Sequence, residues 1–340
     1  VVIPEKPIVI IDVGSREGVH ERWAECKYPI KVIGFEPDVE ECGALNDTAN
    51  YKTGLIESHF YPYALSGQRE KRTLYLYKDR RLSSFYLPNM KILEQYPLDR
   101  LLSSNAFSID KQIEMNCIPL DMFCSDNQIE DADFIKLDTQ GSELEILQGG
   151  VGILEKIFGV EVEVEFVPIY EKQPLFAEVD QFLRRKGFEL FDLRRHWWKR
   201  DVPREISSRG QMIFADALYF RNILTRNHGD TYLSNLTDYP DKIQRMIVTY
   251  SLCGYSDYAF QLIDYFRTSC LVSDELCNVW LSKYISTVGK KTIKYDGKLF
   301  GLKRIFDNIF GHREETPPVA LSRDIIASRF FDDDDSRDTR

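Results

Sequence analysis

The stretch Ile10–Gly18, IIDVGSREG, followed one helix-length later by Val32–Asp38, VIGFEPD, restricts the fold of this 340-residue chain more than any other. Two apolar runs, one ending in Asp12 and the next in Glu36, are separated by a glycine-bearing turn and room for one helix. Such runs read as strands buried on both faces, and strands alternating with helices assemble into a parallel sheet. Gly14 and Gly18 let the backbone approach a ligand closely, and a carboxylate at the tip of the second strand accepts hydrogen bonds from both hydroxyls of a ribose. The pattern points to an adenosine-type cofactor. Gly14-Ser15-Arg16-Glu17-Gly18 lacks the dinucleotide fingerprint G-x-G-x-x-G, so D-x-G-x-x-x-G with strand-end Glu36 fits S-adenosylmethionine (SAM) better than a nicotinamide dinucleotide.

The alternation continues. Strands are predicted at Ile8–Val13, Val32–Glu36, Ser58–Ala64, Phe134–Asp138, Gly159–Phe166, Phe188–Leu193 and Ala217–Arg221. An excursion between the third and fourth, with a strand-like Arg72–Tyr77 and a polar, aromatic Arg80–Leu87, lies where lids lie. Gly149-Gly150 stops one helix, and Gly187 ends another whose apolar face is Phe176, Val179, Phe182 and Leu183. From about Leu233 the texture becomes helical. The expected division is a cofactor-binding domain over 1–225, a helical C-terminal extension over 226–312 and a flexible acidic tail over 313–340.

Composition narrows the class. A hydrophobic fraction of 43% with 13% aromatics is ample for a core, and a net charge of −10 disfavours a nucleic-acid partner, whose affinity rests on neutralising phosphates. No window has the apolar length of a membrane span, and no secretory leader opens the chain; a start at Val1 suggests a trimmed chain or a piece of a longer one. Seven cysteines without C-x-x-C pairs read as reduced thiols, which with the absent leader gives a cytoplasmic expectation.

Asp133–Gly150, DFIKLDTQGSELEILQGG, resembles the signature of the FkbM-type SAM-dependent methyltransferases, an apolar strand followed by D-x-x-G-x-E. Asp12-Val13-Gly14, Gly34-Phe35-Glu36-Pro37, Ala64-Leu65-Ser66 and the Ser83-Ser84 pair match further motifs of that family, in its order, and the resemblance covers about residues 8–221. It implies an α/β class I methyltransferase fold, a Rossmann-like, seven-stranded and mostly parallel sheet flanked by helices, and O-methylation of a sugar or secondary metabolite.

Methyl transfer from a sulfonium needs the acceptor oxygen held in line and its proton removed. In an open parallel sheet the ligand lies beyond the carboxyl ends of the strands. The cofactor-site candidates are therefore Asp12, near the methionine amino group, then Gly14, Ser15 and Gly18, Glu36 with Pro37 at the ribose, Ala64, Leu65 and Ser66 beside the adenine, Ser84, and Asp138. Asp138, Glu165 and His196 are the candidate bases. Glu143, in a first helical turn, reads equally as a macrodipole-favoured carboxylate. Glu161, Glu163 and Glu165 share one face of an internal strand and must meet a cleft, a cation or a basic side chain. Asp138 with Glu163 and Glu165 offers oxygen ligands for Mg2+, although salt bridges or substrate hydrogen bonds are favoured over metal. Acceptor contacts are expected from Ser83 and Tyr86 in the excursion, from Glu163, and from Arg195, Trp197 and Trp198 in a basic, aromatic loop that suits sugar stacking. The leading reading is a SAM-dependent O-methyltransferase acting on a glycan or glycosylated metabolite, with homo-oligomerisation through the C-terminal helices. The alternatives are a nicotinamide-dependent oxidoreductase and a methyltransferase-like binding module without activity.

Overall fold

A computed structural model describes residues 6–16, 18–24, 26, 28–49, 55–97, 105–203, 206–225, 232–233, 236, 239–269 and 272–288. The expected acidic tail lies outside these residues. The chain begins with β1 (Ile8–Val13), α1 (Glu21–Ala24), β2 (Ile30–Phe35), α2 (Val39–Ala49) and β3 (Ile56–Tyr61). An insertion follows, with β4 (Ala64–Leu65), β5 (Glu70–Tyr77), α3 (Met90–Leu93) and β6 (Ile109–Ile118). The chain then forms α4 (Leu120–Asp126), β7 (Phe134–Leu137), α5 (Glu143–Gln148), α6 (Val151–Leu154), β8 (Gly159–Glu165), α7 (Phe176–Arg185), β9 (Glu189–Trp198) and β10 (Gln211–Phe220). Three helices close the described part: α8 (Pro240–Leu252), α9 (Ser256–Thr268) and α10 (Asp274–Val288).

Seven strands form one sheet in the order β3-β2-β1-β7-β8-β10-β9, parallel except for β10, which runs antiparallel to both neighbours. This is the class I methyltransferase arrangement the sequence led us to expect. The order reverses between β1 and β7, and the crevice above that switch point is where a ligand meets the strand ends. The insertion carries its own small sheet, β4-β6-β5, whose long strand β6 the sequence reading did not anticipate. Two expected strands are longer than predicted. The sixth runs on to Trp198 and the seventh begins at Gln211, so Arg194–Trp198 is edge strand where a loop was expected. An edge strand wetted on both faces hides its alternation, and Asp216 interrupts the apolar run of β10.

One face of the sheet packs Ile11, Val13, Ile135, Leu137, Val160, Val162 and Val164 against Phe123, Ile146, Leu147, Val179 and Leu183 of the helices. The opposite face is divided. Near the amino-terminal ends of the parallel strands it is aromatic: Tyr250 of α8 stacks on Phe220 at 4.1 Å, and Trp23 meets Phe134 edge-on at 5.3 Å. Gly159 makes this possible, since a Cβ there would stand 2.5 Å from Phe134 and 2.8 Å from Phe220. Near the carboxyl ends the same face is charged, and the candidate site lies there.

Candidate active site

The turn after β1 is shaped by what surrounds it. Gly14 has φ +84°, and a Cβ on it would lie 1.9 Å from the Asp138 carbonyl oxygen, so only glycine lets the ends of β1 and β7 touch. Asp138 N–H donates to the Val13 carbonyl at 3.0 Å and Gly14 N–H to that of Phe35 at 3.0 Å. Ser15 is buried and its hydroxyl is consumed locally, donating to the Asp12 carbonyl at 2.6 Å and accepting from Phe35 N–H at 3.2 Å. Gly18, at φ +75°, closes the turn on Ser15 at 2.7 Å.

Beside this turn opens a cleft between the sheet and the insertion. Gly14, Glu36, Pro37, Ala64, Leu65 and Asp138, all cofactor-site candidates, line it, together with Ser83, which was expected to meet the acceptor. Phe85, which the sequence offered with Ser83, Ser84 and Tyr86 as a residue to close over cofactor or acceptor, forms an apolar wall with Tyr63, Leu74, Leu76 and Ile146, and Arg16, Arg80 and Arg81 form a basic rim; apart from Phe85, the sequence singled out none of these. Glu36 is 4% exposed; one oxygen accepts from Asp38 N–H at 2.9 Å, and Arg16 stands 4.0 Å away. Burial outweighs both and pushes its pKa up to about 7. Ser66 is buried too, but its hydroxyl donates to the Gln68 carbonyl at 2.6 Å, inside its own turn.

The segment after β7 is organised by Glu143. Its carboxylate accepts from Thr139 N–H at 2.7 Å, Thr139 hydroxyl at 2.9 Å and Gly141 N–H at 2.9 Å. The acid of D-x-x-G-x-E thus ties the loop that displays Asp138, and burial raises its pKa against those hydrogen bonds. Gln140 sits at φ +58°, and its side-chain amide donates to Asp138 Oδ1 at 3.2 Å and Glu163 Oε1 at 2.6 Å. Its amide oxygen accepts from Tyr170 hydroxyl at 3.1 Å, and its main-chain carbonyl from Ser84 hydroxyl at 2.6 Å. Ser84 is therefore the tether of the insertion to this loop. Tyr86 donates its hydroxyl to Glu145 at 2.5 Å, and Arg72, ion-paired to the same Glu145, lies over the Phe85 and Tyr86 rings at 4.6 and 5.1 Å.

The charged half of the sheet face runs across five strands. Asp12, Lys136 and Glu161 are register neighbours on β1, β7 and β8, and Glu163 faces Asp216, which faces Arg194. Asp12 is 3% exposed and its Oδ1 has no hydrogen-bond partner; burial raises its pKa to about 6 despite Lys136. Lys136 Nζ stands 3.8 Å from Asp12 and 3.6 Å from Asp138, and these carboxylates, with Glu161 and Asp216, hold its pKa above the lysine range despite burial. These carboxylates favour its protonated form. The signal for it was one lysine inside the buried strand Phe134–Leu137.

The three glutamates of β8 do share a face, with separate fates. Glu161 pairs with Arg22 at 2.5 Å, Glu163 takes Gln140, and Glu165 is 1% exposed with Oε1 unpartnered. Burial and neighbouring carboxylates push Glu163 and Glu165 well above the usual carboxylate range. Among the described residues no group of three histidine, cysteine or acidic side chains is placed to hold a metal ion. The Asp138, Glu163 and Glu165 set, weighed for Mg2+ as the less favoured reading, does not form a ligand cluster, because Gln140 bonds two of the three and Glu165 is shut inside. His196 stacks on Phe214 at 4.4 Å with Nε2 3.5 Å from Asp216, on the charged face. Arg195 and Trp197 alternate to the opposite face, stacked on each other at 5.0 Å, and Trp198 packs on Tyr96 at 5.4 Å. The structure takes Arg195 and Trp197 away from His196, whereas Trp198 stays on its side and meets the same Phe214 ring edge-on at 6.4 Å.

The residues fit an adenosine-type cofactor: a glycine turn with no room for a Cβ, a buried acid at the second strand tip, an apolar wall, and an unpartnered buried oxygen on Asp12. Residues 12–190 match the family described as the methyltransferase FkbM domain. Structural matches include magnesium protoporphyrin IX methyltransferase from Synechocystis with bound SAM, at 11% identity over 64% of this chain and 72% of that one, TM-score 0.33. A SAM-dependent methyltransferase from Anabaena variabilis matches at 11% identity over 63% of this chain and 77% of that one, TM-score 0.30. No curated protein matches the sequence. No helix among the described residues is long and apolar enough to cross a membrane.

Proposed function

The chain belongs to the FkbM methyltransferase domain family, and on that premise we propose that it moves the methyl group of SAM onto a hydroxyl oxygen of a sugar-bearing acceptor. When bound, SAM supplies a methyl group already activated by the positive charge on sulfur. What the protein adds is placement and proton removal. Glu36 would accept the ribose hydroxyls, Gly14 gives the backbone approach, Ala64, Leu65 and Phe85 would flank the base, and Asp12 would take the amino group.

The observation that carries the reading is the position of Asp138. Its side chain is one-third exposed, lines the cofactor cleft, and borders the charged face through Lys136 and Gln140. It is thus the carboxylate that a cofactor in the cleft and an acceptor on the charged face would both reach, and one of its oxygens takes the hydroxyl proton. Glu163 and Gln140 present a dense polar surface beside it, suited to an acceptor rich in hydroxyls. Glu165 is enclosed, and His196 lies on β9, three strands from β7 with β8 and β10 between.

The test incubates the full chain with SAM and a panel of sugars and lipid-linked glycans, followed by mass spectrometry. A methyl ether is expected on one of them, and Asp138→Asn is expected to cut turnover by about a hundredfold or more while SAM affinity stays within about threefold. Full turnover in the variant removes Asp138 from the mechanism; failure of the wild type to bind SAM by titration removes the cofactor.

A further inference from the structure

The charges on the open half of the sheet face do not balance. Glu161 has Arg22 at 2.5 Å, and Asp216 has Arg194 at 2.8 Å. His20 adds no charge at neutral pH, since burial and Arg22 hold its pKa down. Asp12 and Asp138 are left to share one cation, Lys136, at 3.8 and 3.6 Å, both beyond hydrogen-bond distance. Asp12 Oδ1, in a residue 3% exposed, has no hydrogen-bond partner. Any ionisation of Glu163 deepens the deficit. Among the described residues, this corner is one positive charge short, at the edge of the cofactor cleft.

We infer that Lys136 is a specificity residue that sets how strongly the site distinguishes the cationic cofactor SAM from its neutral thioether product, S-adenosylhomocysteine. The inference rests on the SAM reading above. The two ligands differ at sulfur by one methyl group and one positive charge, so their relative affinity reads the local field directly. Two carboxylates against one ammonium favour the cation; without Lys136 the preference would be larger. That restraint has a catalytic use. Methyl transfer disperses the charge on sulfur, so surplus negative charge would stabilise the bound substrate more than the transition state. Lys136 cancels half of that surplus and keeps Asp138 facing the site.

The experiment titrates SAM and S-adenosylhomocysteine separately into the full chain at pH 8.5 by calorimetry. Lys136→Met and Lys136→Gln are each expected to raise the ratio of SAM to S-adenosylhomocysteine affinity at least threefold. Asp12→Asn, which leaves one cation facing one carboxylate, is expected to lower the same ratio at least threefold. Loss of packing or of an amino-group contact would weaken both ligands together, so opposite movements of the ratio separate charge from structure. If one lysine variant does not fold, the other and Asp12→Asn still decide. A ratio that stays fixed, or moves the same way in both sets, overturns the inference while leaving the SAM reading intact. A wild type that binds neither ligand overturns both.

Discussion

The two ends of the central sheet treat buried charge in opposite ways. At the amino-terminal ends of the parallel strands, Asp133 and Arg245 are 0% and 1% exposed, yet three carboxylates are met by three cations, since Lys6 joins Arg245 and Lys242 at 2.9 Å from Asp241. Arg245 contacts Asp133 at 2.7 Å, Asp131 at 2.6 Å and Asp241 at 2.7 Å, and Lys242 contacts Asp131 and Asp133 at 2.6 and 3.2 Å. Asp133 also accepts from Val9 N–H at 2.9 Å. This closed network bolts α8 to the edge of β1 and β7. At the carboxyl ends, Lys136 touches neither of its carboxylates closely, and Asp12 and Glu165 each keep an unpartnered oxygen. Asp133 Oδ1 also lacks a hydrogen bond, but it has the Lys242 ammonium at 3.2 Å, whereas Asp12 Oδ1 has no cation nearer than 3.8 Å; the tightly paired cluster reads as architecture and the loosely paired one as a candidate site.

The comparison can be broken at the closed end first. Arg245→Met leaves Asp133 buried beside only one cation, and breaking such a network costs about 3–5 kcal/mol. Urea unfolding should show a drop of that size, with SAM affinity of the folded fraction unchanged. Lys136→Met should cost less, because Asp138 keeps access to water; the reverse order of the two losses would mean that the open cluster is the structural one.

Next in size is the cofactor acid. Glu36→Ala removes hydrogen bonds to a charged acceptor, worth about 1.5–3 kcal/mol, so SAM affinity should fall roughly tenfold to a hundredfold by titration. Unchanged affinity in a folded variant would move the ribose elsewhere.

The smallest effect is a matter of pH. Glu36 rises from its ordinary 4.5 to about 7 in the folded protein. Between those values the native state binds more protons than the unfolded one, so the ligand-free protein should lose stability as pH rises from about 4.5 to 7 and then level off. A ribose that bonds the ionised carboxylate pulls the other way. SAM should bind about tenfold more weakly at pH 6 than at pH 8, with a proton released on binding near pH 7. Asp12, raised only to about 6, adds to this at the acid end. Calorimetry in buffers of different ionisation enthalpy reads the release, and Glu36→Gln should abolish it.

The sequence by itself determined the sheet, and it marked the strand-end acids and the glycine turn of the candidate site. Buried parallel strands are near-continuous apolar runs, and strand-end acids with a glycine turn are local patterns, so Asp12, Gly14, Glu36 and Asp138 were legible one segment at a time. The resemblance carried by Asp133–Gly150 named the family from the same residues. What only the tertiary structure decided is which polar side chains meet. Ser15, Ser66 and Ser84 turned out to serve turns and tethers, because a hydroxyl's partner is set by backbone that folds over it. The strand parity of Arg195 and Trp197 carried them to the face away from His196, which an assumed loop had concealed. Lys136, Arg22 and Arg194 come from separate strands and a helix, and the charge missing beside Asp12 and Asp138 exists only once the sheet lays those elements side by side. Periodicity is written along the chain, whereas charge balance is a property of neighbours in space.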